Sequence, residues 1–128
     1  MAKARKKNRE HNKHGVTFDT VRELALALPG VEEGTSYGTP AFRVGGRILA
    51  RFHQDGESLV LKVEYAAREV LTGSNPESFC VTDHYRCYPL MLVRLERVEL
   101  GLLQGLIEEA WRSLAPKRAI AAYEASRD

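Results

Sequence analysis

At 128 residues, with 44% apolar content and a formal net charge of +2, the chain is sized for one small domain with its own core. It has no run of 18 apolar residues, which excludes a helical membrane span, and its basic start lacks the apolar segment of a signal peptide. Charge is unevenly spread: residues 1–15 hold six Lys/Arg against Glu10, while the rest holds 13 basic and 16 acidic residues. Whole-chain basicity is therefore a property of the N-terminal residues. Two cysteines, Cys80 and Cys87, are too few for a disulfide scaffold and read as reduced thiols of a cytoplasmic protein.

Residues 1–15 have almost no apolar side chains and are expected to form a disordered basic tail, ahead of a domain over 16–128. Thr17 suits an N-cap and Asp19 the first turn of a helix. Phe18, Val21, Leu24, Ala25 and Leu28 recur at helical spacing, so the helix runs from about Phe18 to Leu28, where Pro29-Gly30 ends it. A short strand is expected over Glu33–Tyr37, then a turn at Gly38–Pro40.

Residues 41–63 read as three strands of a meander. Asp55-Gly56 is the strongest turn signal in the chain, fitting a two-residue type I′ turn that pairs His53 with Ser58 and Phe52 with Leu59. Alternation then places Ile48, Ala50, Phe52, Leu59, Leu61 and Val63 on one apolar face. Leu49, Arg51, His53, Val60 and Lys62 fall on the other. For the turn at Gly45-Gly46, a two-residue loop would turn Phe42 outward, whereas a three-residue loop places Phe42 and Val44 with Ile48 and Ala50. A one-residue slip inverts every side chain. Burial favours the three-residue loop, and Arg43 then joins the outward cations.

Beyond the meander, Tyr65–Leu71 reads as a short helix stopped by Thr72-Gly73, and Phe79–Thr82 and Leu90–Leu95 as strands around the loop Asp83–Pro89. Leu102, Leu103, Leu106, Ile107, Ala110, Trp111 and Leu114 make a wide apolar stripe on a helix from about Glu99 to Leu114. Pro116 opens a last helix with Ala119, Ile120 and Tyr123 as its buried side. Strands linked by hairpins between helices indicate an α+β fold, a two-layer structure with an antiparallel sheet packed on one face by helices.

No constellation amounts to a catalytic site, so the chain reads as non-enzymatic. Cys80, Asp83, His84 and Cys87 carry metal-type side chains, but six residues separate the cysteines and no second pair completes four ligands. Neither a metal nor a cofactor is expected. Gly45-Gly46 is explained by a hairpin, not by phosphate binding. The outward cations Arg43, Arg51, His53 and Lys62, with Tyr37 at their edge, suit phosphate or base contact. Three or four cations neutralise few phosphates, so DNA binding there would be weak and salt-sensitive.

The stretches LALALPGVEEGTSYGTPAFRVGGRILARF and VRLERVELGLLQGLIEEAWRSLAPKRA, with LVLK ending at Lys62 between them, resemble the MmcQ/YjbR family of small bacterial proteins over about residues 17–125. The matching positions are Tyr37, Gly38, Pro40, Phe42, Gly46 and Lys62. The resemblance implies an α+β fold similar to secretion-chaperone-like domains, and DNA binding as the family's associated function. Two functions follow: a non-enzymatic DNA-binding module using the basic sheet face and tail, or a protein- or peptide-interaction module working at a sheet edge.

Overall fold

The computed structural model of the protein describes residues 16–127; the basic stretch 1–15 lies outside them. Helix α1, Phe18–Leu26, starts where expected because the Thr17 hydroxyl accepts the Thr20 N–H. It ends two residues early, and Gly30 at φ 78° turns the chain into the sheet. Val21 and Ala25 are buried, whereas Phe18 is 43% exposed and lies against Phe52 with ring centroids 4.1 Å apart. Arg22 reaches across to Glu33 with both its Nε and Nη2.

Four strands follow: β1 (Val31–Ser36), β2 (Thr39–Val44), β3 (Arg47–Phe52) and β4 (Ser58–Lys62). Strand β1 begins two residues before the expected position, and Tyr37-Gly38 forms the two-residue turn, both residues at positive φ. The loop between β2 and β3 corrects a second expectation. It is the two-residue Gly45-Gly46 turn, with Val44 opposite Arg47. Phe42 and Val44 still face the core, because the ladder shifts between Phe42 and Arg43 and leaves Leu49 as an extra residue. This β-bulge turns Leu49 and Ala50 both inward and leaves Ile48, opposite Arg43, outside the core. Burial was the right criterion, but a bulge meets it instead of a longer loop.

The β3–β4 register is as expected, Ala50 opposite Leu61, Arg51 opposite Val60 and Phe52 opposite Leu59. The connecting loop is not a type I′ turn. Gly56 alone has positive φ, its N–H bonds to the His53 carbonyl, and His53 N–H reaches Ser58 O at 2.8 Å across four intervening residues. Asp55 explains the difference. Its carboxylate accepts the Glu57 and Ser58 N–H groups at 2.8 and 2.9 Å and the Ser58 hydroxyl at 2.9 Å, which holds a wider loop.

Helix α2, Tyr65–Ser74, runs through Thr72-Gly73 instead of stopping there. The two-residue β5 (Phe79–Cys80) and β6 (Leu90–Arg94) flank a 3-10 turn at Asp83–Tyr85. Helix α3, Leu100–Leu114, is capped by the Glu99 carboxylate, and α4 spans Lys117–Arg127. All pairs are antiparallel, and the strand order is β1-β2-β3-β4-β6-β5. The α+β architecture is thus an antiparallel sheet packed by helices.

Between sheet and helices lie the fully buried Trp111, Phe42, Phe52, Phe79, Leu49 and Met91, among others. The Trp111 indole N–H donates to Pro29 O at 2.8 Å, tying α3 to the end of α1. Tyr123 of α4 meets the Trp111 ring at 5.0 Å. The opposite sheet face carries a smaller cluster, Val60, Leu92 and Tyr85, with Cys80, Val81 and Leu90 around it. That cluster brings the 83–90 segment down onto a face expected to be open.

Candidate functional site: an aromatic cleft over Arg51

Cross-strand pairing aligns one row of side chains over the whole sheet: Gly34, Ala41, Arg51, Val60, Leu92 and Cys80. Small residues on one side and apolar ones on the other leave Arg51 as the cation of this row. The 83–90 segment covers it, and Arg51 is only 7% exposed. Its placement among the water-facing residues is therefore overturned. The pleat direction was right, but Val60 and Leu92 attract a cover.

Tyr85 supplies that cover. Its hydroxyl bonds to the Arg51 Nη2, while Nη1 donates to the Phe52 carbonyl at 3.4 Å. The guanidinium carbon lies 5.2 Å from the centre of the Tyr37 ring and 5.9 Å from that of Tyr85. Two aromatic faces thus take the place of a counter-ion. Among the described residues no carboxylate pairs with Arg51: Asp55 faces His53 at 3.3 Å and Asp83 holds Arg86 at 2.6 Å.

Arg51, Tyr37 and His53 line one cleft of about 340 Å³ together with Gln54, Thr82, His84 and Tyr85. Tyr37 stands at its rim, 80% exposed, with φ at 54°, a conformation rare for a residue with a side chain. The Tyr85 ring is framed by His84 at 4.7 Å and His53 at 6.3 Å, both edge-on. Asp55 holds the loop that carries His53 and Gln54 of the cleft. Burial pushes its carboxyl up, but the N–H groups of Glu57 and Ser58, the Ser58 hydroxyl and the nearby His53 bring it below the ordinary carboxylate value.

Three of the five residues singled out in the sequence, Tyr37, Arg51 and His53, therefore meet. Arg43 and Lys62 do not join them. Arg43 bends back to donate to Thr35 O at 3.3 Å, and Lys62 pairs with Glu64 at 3.2 Å beside a groove between α2 and α3. Sequence reasoning missed Gln54, Thr82, His84 and Tyr85 as cleft residues. Val60 and Leu92, apolar at outward positions, were the signal that something packs there. Among the described residues no group of three or more His, Cys, Asp or Glu could hold a metal ion, and both cysteines are free. No helix there is long and apolar enough to cross a membrane.

The fold defines a small α+β domain in which helices pack against an antiparallel sheet. The YjbR family model matches residues 26–113, and the chain belongs to that family. It is 39% identical to an uncharacterized protein of Mycobacterium tuberculosis, Rv2570, with 86% of this chain and 97% of the relative covered. The uncharacterized Mb2600 of Mycobacterium bovis matches to the same extent. The crystal structure of Deinococcus radiodurans DR2400, a DUF419 domain, is similar with a TM-score of 0.65 and 26% identity, covering 77% of each chain.

Proposed function

We propose that the chain is a non-enzymatic nucleic-acid-binding module that makes its contact at the Tyr37–Arg51–Tyr85 cleft, with the basic N-terminal residues adding general attraction. One observation carries this reading. An arginine, always charged, is more than nine-tenths buried without an acidic partner among the described residues. A buried cation lacking a counter-ion is costly. An anion entering the cleft would offset that cost, and the exposed Tyr37 ring adds a stacking surface for a base. Arg43 and Lys62 are engaged locally, so the contact is compact instead of spread along a cationic sheet face. Single strands suit such a site better than a duplex, whose bases are stacked within the helix. DNA is the partner expected, bound weakly and in a salt-sensitive way.

Fluorescence anisotropy of single- and double-stranded oligonucleotides across a salt series tests this with the full chain. Salt-sensitive binding that favours the single strand is expected. Silence from both at the lowest salt would remove the proposal.

A second reading rests on a different observation. Among the described residues, strand β1 is outermost in the sheet and pairs on one side only, leaving six residues of edge. A protein or peptide partner could add a strand there. A protein that light scattering finds only as a monomer, and that recovers no partner, would count against it.

A further inference from the structure

We infer that the cleft selects a terminal phosphomonoester of a nucleotide or strand end over the internal phosphodiesters of a chain. The inference rests on the nucleic-acid reading above and names the part of the ligand that the site would hold.

Depth is the first argument. Arg51 is 7% exposed, so its guanidinium is reached through the cleft and not from the open sheet face. At about 340 Å³ the cleft lies near the lower end of the range for ligand pockets, which is about 300–1,000 Å³. An internal phosphate carries a sugar on each side, and both would have to descend with it. A terminal phosphate projects beyond its single sugar and can reach the guanidinium while the nucleoside stays outside.

Charge is the second. A phosphomonoester approaches a double negative charge near neutral pH, whereas an internal diester carries one. The groups lining the cleft are matched to the former: a fixed guanidinium, the Thr82 and Tyr85 hydroxyls, and the His53 and His84 imidazoles. Arg51 is held in place beforehand by Phe52 O and the Tyr85 hydroxyl, so little side-chain freedom is lost on binding.

The rim supplies the third. Tyr37 lies over Arg51 with one face and is 80% exposed, which leaves its other face for the terminal base. A stacked base above and a buried phosphate below describe one nucleotide. Strand ends and free mononucleotides share this chemistry, and the experiment separates them.

The full chain is titrated with single strands of about ten nucleotides, within the span typical of such modules. One sequence is prepared with hydroxyl ends, with a 5′-phosphate, with a 3′-phosphate, and as a circle without ends; adenosine monophosphate serves as competitor. A phosphorylated end is expected to bind about tenfold more tightly than the hydroxyl-ended and circular strands, as one charge-assisted contact would produce. Adenosine monophosphate should compete. Arg51→Met should abolish the preference. Should that variant fail to fold, the comparison of the four strands on the parent chain decides alone; Tyr37→Gly, where glycine accepts the positive φ, should in addition weaken binding of the phosphorylated strand by about threefold or more. Equal binding of all four strands would overturn the inference and leave the nucleic-acid reading standing. Adenosine monophosphate binding with no strand bound would overturn that reading and support the cleft as a mononucleotide site. Binding of nothing would overturn both.

Discussion

Arg51 and Tyr85, 34 residues apart in the chain, are joined by a hydrogen bond from guanidinium to phenol hydroxyl under a cover that excludes most water. That bond links the meander to the segment that closes its outer face. Tyr85→Phe keeps the ring and its packing but leaves a buried cation with one partner fewer. The variant should lose about 1.5–3 kcal/mol, the worth of a hydrogen bond to a charged group. Urea denaturation at neutral pH measures it, with an unchanged slope expected. A loss below about 0.5 kcal/mol would show that solvent replaces the phenol.

Arg68 holds the same segment from the helical side. Its Nη1 donates to the carbonyls of Tyr85, Tyr88 and Leu90, at 3.3, 2.7 and 3.1 Å, and Nη2 to Arg86 O at 3.0 Å. Its guanidinium carbon lies 4.9 Å from the centre of the Tyr65 ring. A planar fork satisfies these four acceptors together and an ammonium cannot. Arg68→Lys should therefore behave nearly as Arg68→Met, each destabilised by about 2 kcal/mol. Amide hydrogen exchange should accelerate first between Tyr85 and Leu90, through local opening. Uniform acceleration over the whole sheet would contradict a local clamp.

These two arginines mark where the sequence was legible and where it was not. Helix spacing from Phe18 and from Leu102, and the alternation from Ala50 to Leu61, report contacts between residues near in sequence or opposite across one turn. The elements and the β3–β4 register followed from them. The bulge at Leu49 depends on what lies beneath β3, where Phe42, Val44, Leu49 and Ala50 all need cover. The burial of Arg51 depends on Tyr85, which the chain brings back after a helix and a strand. Such distant partners leave only an indirect trace, here the apolar Val60 and Leu92 on a face that otherwise looked wet. The same distance separates Tyr37 and His53 from Thr82 and His84, so only half of the cleft could be assembled from the meander.

Asp55 gives the loop between His53 and Ser58 a dependence on acid. Its carboxyl is held below the ordinary value once folded, so the unfolded chain binds its proton at higher pH than the native one. The stabilisation is present above the unfolded value of about 3.9 and is lost as pH falls through the folded one. Asp55→Asn should be less stable than the parent at pH 7. The gap should close as pH is lowered into the acid range, until the carboxyl is protonated in both states. The side chain is 40% exposed, so the effect is modest and weakens with salt. A gap of constant size from neutral pH downward would mean that shape, not charge, sets the role of Asp55.

Tyr37 tests whether strain at the cleft rim is held for the sake of its ring. A side chain at φ 54° costs about 1–2 kcal/mol relative to an extended one. Glycine removes that cost but forfeits the contact over Arg51, worth about 0.5–1 kcal/mol at an exposed site, and gives back a similar amount in chain entropy. Tyr37→Gly should therefore leave stability within about 1 kcal/mol of the parent. Valine keeps the strain, loses the ring, and is branched at the carbon that crowds this conformation. Tyr37→Val should then fall below the glycine variant by about 1–2 kcal/mol. Thermal unfolding of the three proteins side by side decides it. If valine matched glycine, the turn at residues 37 and 38 would have relaxed to negative φ in that variant, and the surrounding fold would not be what imposes the positive φ on Tyr37.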